Sequence, residues 1–64
     1  MACILFVDDD TLTLTLLGKA AQLLGHTPLT CTSGAEGLAL LTSARPDLVL
    51  VDLNLADMDG LEFI

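Results

Sequence analysis

Ala2-Cys3-Ile4-Leu5-Phe6-Val7-Asp8-Asp9-Asp10 decides how this chain is read. Its first six residues are a continuous apolar run with no helical spacing, too short for a helix and stopped by three aspartates. Such a run suits a strand buried on both faces, as in a parallel sheet. Leu48-Val49-Leu50-Val51-Asp52 repeats the pattern. Two buried strands that each end in aspartate set the frame for the rest.

The segment over 11–24 lies between a possible cap, Asp10, and a possible stop, Gly25. Its first residues, Thr11 to Leu16, alternate like a half-buried strand, but the continuation does not. Leu14, Leu17, Ala21 and Leu24 fall at helical spacing, and Leu16, Ala20 and Leu23 widen that stripe, so the segment is predicted helical. Gly25-His26-Thr27-Pro28 reads as a turn and Leu29-Thr30-Cys31 as a short second strand. Ser33 and Glu36 have the spacing of a capping box. The helix they start is predicted to run to about Ser43, with Ala35, Leu38 and Leu41 inward, and to end at Ala44-Arg45-Pro46. Asp59-Gly60-Leu61-Glu62 has the same cap spacing and announces a third helix, of which only about one turn is present. The order is β-α-β-α-β, which calls for parallel strands and right-handed crossovers.

Composition narrows the function classes. The chain has 64 residues, 53% of them hydrophobic, and a mean hydropathy of +0.74. That is too apolar for disorder and more apolar than a small autonomous domain should be, so the expectation is a piece of a larger domain. No run approaches the roughly 18 apolar residues of a membrane span, and the start lacks the pattern of a signal peptide. The formal charge is -7, with Lys19 and Arg45 the only cations, a poor composition for gripping nucleic-acid phosphates. Cys3 and Cys31 make neither a C-x-x-C pair nor a disulfide framework and read as buried, reduced thiols of a cytosolic protein.

Six of the nine acidic residues fall in two groups, Asp8, Asp9 and Asp10, then Asp52, Asp57 and Asp59. In an open parallel sheet, ligands bind beyond the carboxyl ends of the strands. If the first and third strands are neighbours, Asp8, Asp9 and Asp52 converge there. Packed carboxylates need a hard cation, and Mg²⁺ suits a site that also handles phosphate. A carboxylate so placed can attack a phosphoryl group to form an acyl phosphate. Aspartates after strands also start turns and cap helices; Asp10 reads as such a cap and Asp57 as a solvated loop residue. On residue spacing alone, both a metal site and a set of turn-forming aspartates remain open. An EF-hand is excluded, because a loop starting at Asp52 places Ala56 fifth and Asp57 sixth. His26 has no partner in the sequence and reads as an incidental surface residue.

Ile4-Leu5-Phe6-Val7-Asp8-Asp9-Asp10 resembles the opening of bacterial response-regulator receiver domains, and residues 46–62, Pro46 to Glu62, resemble their phosphoacceptor segment. Ser33-Gly34-Ala35-Glu36-Gly37-Leu38 resembles the start of their second helix. Together these segments cover almost the whole chain. The resemblance implies a flavodoxin-like, five-stranded, doubly wound sheet, of which residues 1–64 are the β-α-β-α-β half in strand order 2-1-3, ending at the start of the third helix. It implies a phosphoacceptor domain of a two-component system, cytoplasmic, taking a phosphoryl group from a sensor histidine kinase or phosphotransfer protein onto Asp52. Asp9 would bind Mg²⁺ directly, Asp8 largely through water, and Asn54 by its backbone carbonyl, with Asp52 completing the set. Asp59 and Gly60 would shape the loop. Such a domain catalyses at most its own phosphorylation and dephosphorylation.

Departures from the family pattern are Ala56 where proline is usual and Gly37 where alanine is usual. The family's switch Ser or Thr and its phosphate-binding Lys belong to later strands. Lys19 is no substitute, since it stands about eight residues into the first helix, roughly 12 Å from the end near the site. A second reading follows: a receiver-like module that takes no phosphoryl group and self-associates, or pairs with another chain, through its open sheet edge. A Mg²⁺-dependent phosphohydrolase ranks last, because Asn54 stands where that chemistry wants a proton-exchanging acid.

Overall fold

A computed structural model describes residues 1–58; the expected third helix, with Asp59 and Gly60, lies outside the described residues. β1 (Cys3–Val7) is the middle strand of a three-stranded parallel sheet ordered β2-β1-β3. β2 (Thr27–Cys31) pairs with it from Cys3 opposite Thr27 to Val7 opposite Cys31. β3 (Leu48–Val51) pairs on the other side, from Ile4 opposite Leu48 to Val7 opposite Val51. Helices α1 (Thr11–Leu23) and α2 (Gly34–Ser43) make the crossovers. The predicted element order and strand order are those observed: half of a flavodoxin-like sheet.

The central strand is apolar on both sides because a separate core covers each. Phe6 packs with Leu14 and Ala21 of α1, with Ile4 at the margin. Leu5 and Val7, 0% and 1% exposed, pack on the other face with Cys31 and Leu55. Leu29, Leu40, Leu41, Val49, Val51 and Met58 close around that second cluster.

Both ends of α1 follow their sequence signals. The carboxylate of Asp10 accepts from the Leu12 N–H at 3.1 Å and the Thr13 hydroxyl at 2.9 Å. At the other end Gly25 takes φ +84°, donating to the Gln22 carbonyl at 3.0 Å while His26 donates to that of Ala21 at 2.9 Å. That pair of bonds is a Schellman closure, which glycine adopts without strain.

Four expectations need correction. The buried face of α1 is Leu14, Gly18 and Ala21, while Leu16, Ala20, Leu23 and Leu24 are exposed and Leu17 is borderline. Among the described residues α1 packs on β1 and β2, and only the residues that face those two strands are covered. On α2 the buried residues are Gly34 and Gly37, with Leu40 and Leu41 half-buried; Ala35 and Leu38 face outward. Thr27 and Pro28 belong to β2 rather than to the turn. The Thr27 N–H points inward, donating to the Ala2 carbonyl at 2.8 Å, so the next residue faces away from the sheet, where a proline on an edge strand loses no ladder bond. Finally, His26 has a partner: its Nδ1 accepts the Ala2 N–H at 3.0 Å. With Asp47, whose carboxylate accepts the Cys3 N–H at 2.8 Å, it ties down the start of β1 at the end of the sheet away from the acidic groups.

Candidate functional site

The carboxyl ends of β1 and β3 come together because Val7 and Val51 are in register. The next residue on each strand is an aspartate. The Asp52 N–H donates to the Val7 carbonyl at 2.9 Å, and the Asp8 N–H reaches across to the Cys31 carbonyl at 3.2 Å. Both backbones are thus fixed by the sheet before any side chain is considered. One carboxylate oxygen each of Asp8, Asp9 and Asp52 lie within 4.8 Å of one another. Oxygens bound about 2.1 Å from one octahedral Mg²⁺ sit roughly 3 to 4 Å apart, so a small contraction brings this trio onto one ion. Asp8 and Asp52 are half-buried and Asp9 is exposed, which leaves the cluster open on one side.

Local hydrogen bonds aim these groups. Asp8 Oδ1 accepts the Asp10 N–H at 2.9 Å, and Asp52 Oδ1 accepts the Asn54 N–H at 3.3 Å. Among the described residues the Asp9 carboxylate accepts no hydrogen bond, so it is free to turn toward a ligand. Asp10 stays outside the group, since α1 occupies both its oxygens. Lys19 is elsewhere: it lines a groove between α1 and β2 with Gln22, Thr30 and Glu36, while Asp8 and Asp52 border a different groove with Leu17 and Leu50.

The loop after Asp52 is pinned twice. Leu55, 8% exposed, joins the core under β1. Asp57 turns back onto α2, where its two carboxylate oxygens accept the N–H groups of Gly34 and Ala35 at 2.8 and 3.0 Å. Those two bonds hold its carboxyl below the usual aspartate range. Asp57 is therefore no free loop residue, although its side chain is exposed. A signal for it exists in the sequence: Ser33 caps only the Glu36 N–H, at 3.2 Å, which leaves the first amides of α2 in need of an acceptor. Glu36 completes the box differently from the expected pattern, accepting the Ser33 hydroxyl at 3.2 Å. Beside them, burial and then the Glu36 charge push the Cys31 thiol up; Cys3 is only half-buried, and both thiols are free.

Comparison with known proteins agrees with the fold. The family model described as "Response regulator receiver domain" matches residues 4–64. Transcriptional regulatory protein GlrR of Escherichia coli K12 is 44% identical over 61 residues, which cover 95% of this chain and 14% of that protein. Sporulation initiation phosphotransferase F of Bacillus subtilis is 36% identical over 61 residues, covering 95% of this chain and 49% of the relative. The N-terminal domain of a response regulator receiver protein from Methanoculleus marisnigri superposes with a TM-score of 0.95 at 36% identity, over 98% of this chain and 51% of that structure. The chain thus spans at most about half the length of these relatives. No helix among the described residues is long and apolar enough to cross a membrane. With two aspartate-terminated strands side by side and the family model matched over residues 4–64, the chain belongs to the response-regulator receiver domain family.

Proposed function

We propose that this chain is a cytoplasmic phosphoacceptor that takes a phosphoryl group from the phosphohistidine of a sensor kinase or phosphotransfer protein onto Asp52. The observation that carries the reading is the convergence of the Asp8, Asp9 and Asp52 carboxylates within 4.8 Å at the ends of adjacent strands. Asp9 would hold Mg²⁺ directly and Asp8 largely through water, with Asp52 and the Asn54 backbone carbonyl completing the protein's ligands. When bound, Mg²⁺ offsets the negative charge of the carboxylates and of the transferring oxygens. An Asp52 carboxylate oxygen forms the new P–O bond as the P–N bond to histidine breaks, and the electron pair of that bond leaves with the imidazole nitrogen. The Asn54 N–H donates to Asp52 Oδ1 at 3.3 Å, which restrains the rotation of the carboxylate that would accept the phosphoryl group. The chain catalyses no more than its own phosphorylation and the hydrolysis that reverses it.

The test is the intact mass of the chain after incubation with Mg²⁺ and a small acyl phosphate, beside an Asp52→Asn variant and a sample stripped of Mg²⁺ by chelator. A phosphoryl adduct on the parent with Mg²⁺, and on neither control, is expected. A folded parent that takes no adduct overturns the reading. That outcome favours the second one, a module that self-associates through β3, whose Leu48 and Leu50 are 50% and 46% exposed at the sheet edge.

A further inference from the structure

The attachment of the β3 loop to α2 has a consequence for the ion site. Asn54 stands between the end of β3, fixed by the Asp52 N–H bond to Val7, and the pins at Leu55 and Asp57. A backbone carbonyl has no side chain to aim it; its direction is set by where the chain is held on either side. Leu55 holds by packing, which restrains position more than orientation. Asp57 holds by two directed hydrogen bonds, and its negative charge sits at the positive end of the α2 dipole. Met58 then lies directly over Gly34: a Cβ built there would fall 2.5 Å from its Cγ and Sδ. Glycine at the first position of α2 leaves the room that the Met58 side chain fills.

We propose that Asp57 is a positioning residue, which by latching the β3 loop to the first two amides of α2 fixes the Asn54 carbonyl and so sets the affinity of the Asp8, Asp9 and Asp52 site for Mg²⁺. The inference rests on the site reading above. Coupling of this kind is reciprocal, so bound Mg²⁺ must also hold the latch closed. The amides of Gly34 and Ala35, which are not ligands, then report on an ion bound at the far end of the loop.

The test is made on the ¹⁵N-labelled full chain by nuclear magnetic resonance. Mg²⁺ affinity is read from the amide shifts of residues 8, 9 and 52, and hydrogen exchange is followed at Gly34 and Ala35 with Phe6 as a core reference. Saturating Mg²⁺ is expected to slow exchange at Gly34 and Ala35 relative to Phe6, and Asp57→Ala to weaken Mg²⁺ binding about fivefold or more. Asp57→Asn, which keeps one acceptor oxygen, falls between them. An Asp57→Ala chain that loses protection at Gly34 and Ala35 yet binds Mg²⁺ within about twofold of the parent overturns the inference and leaves the site reading intact. Where a variant does not fold, the parent decides: unchanged relative exchange at the two amides with Mg²⁺ bound overturns it equally. A parent that takes up no Mg²⁺ overturns the site reading, and the inference with it.

Discussion

Asp9→Asn is expected to stabilise the chain without Mg²⁺ and destabilise it, relative to the parent, with Mg²⁺. The Asp8–Asp9 repulsion is present in the unfolded chain too, because the two are sequence neighbours. What folding adds is the approach of Asp52, from a strand 40 residues or more away in sequence, to within 4.8 Å. Two unit charges at 4.8 Å repel by about 0.9 kcal/mol at the dielectric of water and about 3.5 at an effective value of 20. Asp9 is exposed and its carboxylate accepts no hydrogen bond among the described residues, so the lower figure applies and little else is lost on substitution. For a domain of this size, about 0.9 kcal/mol raises Tm by roughly 4 to 7 °C. The gain should shrink in 0.5 M NaCl, where the Debye length falls to about 4 Å. In 10 mM Mg²⁺ a parent site with a Kd of about 1 mM gains about 1.4 kcal/mol, which places it above the variant. Thermal unfolding followed by circular dichroism in the three buffers reads all of this. An Asp9→Asn chain that is no more stable than the parent without Mg²⁺, or that gains as much from Mg²⁺, refutes the argument.

Leu5→Ala, at a residue 0% exposed, should cost about 2–5 kcal/mol, a large share of the roughly 3–10 kcal/mol that 64 residues supply. Urea unfolding should show a midpoint well below the parent's, and a midpoint close to the parent's would contradict the core assignment. The hydrogen bonds from Gly34 and Ala35 depress the Asp57 pKa, so they contribute stability above the pKa of an unfolded aspartate, and it is lost as pH falls through the lowered folded value. The Gly34 amide shift should therefore titrate with a midpoint below the usual aspartate range, and a midpoint within that range would show the latch open. Leu50→Lys should weaken any self-association by roughly three- to tenfold, since burying a whole leucine contributes about 1.5–3 kcal/mol and Leu50 starts 46% exposed. Sedimentation of parent and variant across a concentration series measures it, and equal association would place the contact away from β3.

The strands and their order could be read from sequence because two independent signals agreed. An apolar run needs cover on both faces, and the aspartates closing β1 and β3 make sense together only if those strands are adjacent. Caps were equally legible at Asp10, Gly25 and Ser33, since each acts within a few residues of itself. Helix faces were not. α1 carries leucine at 12, 14, 16, 17, 23 and 24, so several stripes satisfy a helical period, and contact with β1 and β2 chooses among them. On α2, hydrophobic spacing favoured Leu38 over Gly34 and Gly37, yet both glycines are buried, Gly34 under the Met58 side chain of the returning loop. Pro28 hid the start of β2, since a missing N–H argues against a strand until the strand is known to lie at an edge. Asp57 was misread for the same reason as Gly34: each has its partner 22 to 24 residues away.

The carboxylate cluster differs from these in kind. Among the described residues, the apolar run of β1 and the caps of both helices agree with the fold. Placing Asp8, Asp9 and Asp52 at one strand edge works against it, because closing the sheet brings like charges together. A sequence selected for stability alone would set a neutral residue at one of the three. Conflict between a local choice and the global fold is expected where a site needs it, and a divalent cation removes the conflict. On the function proposed above, the arrangement would be most stable when occupied, which would tie the ion to folding as well as to chemistry. Asp57 fits the same logic from the other side. It is an acid whose charge is welcome where it stands, at the amino end of α2, and it holds in place the loop that begins at Asp52. One group of acids strains the strand ends, and another fixes the loop that they share.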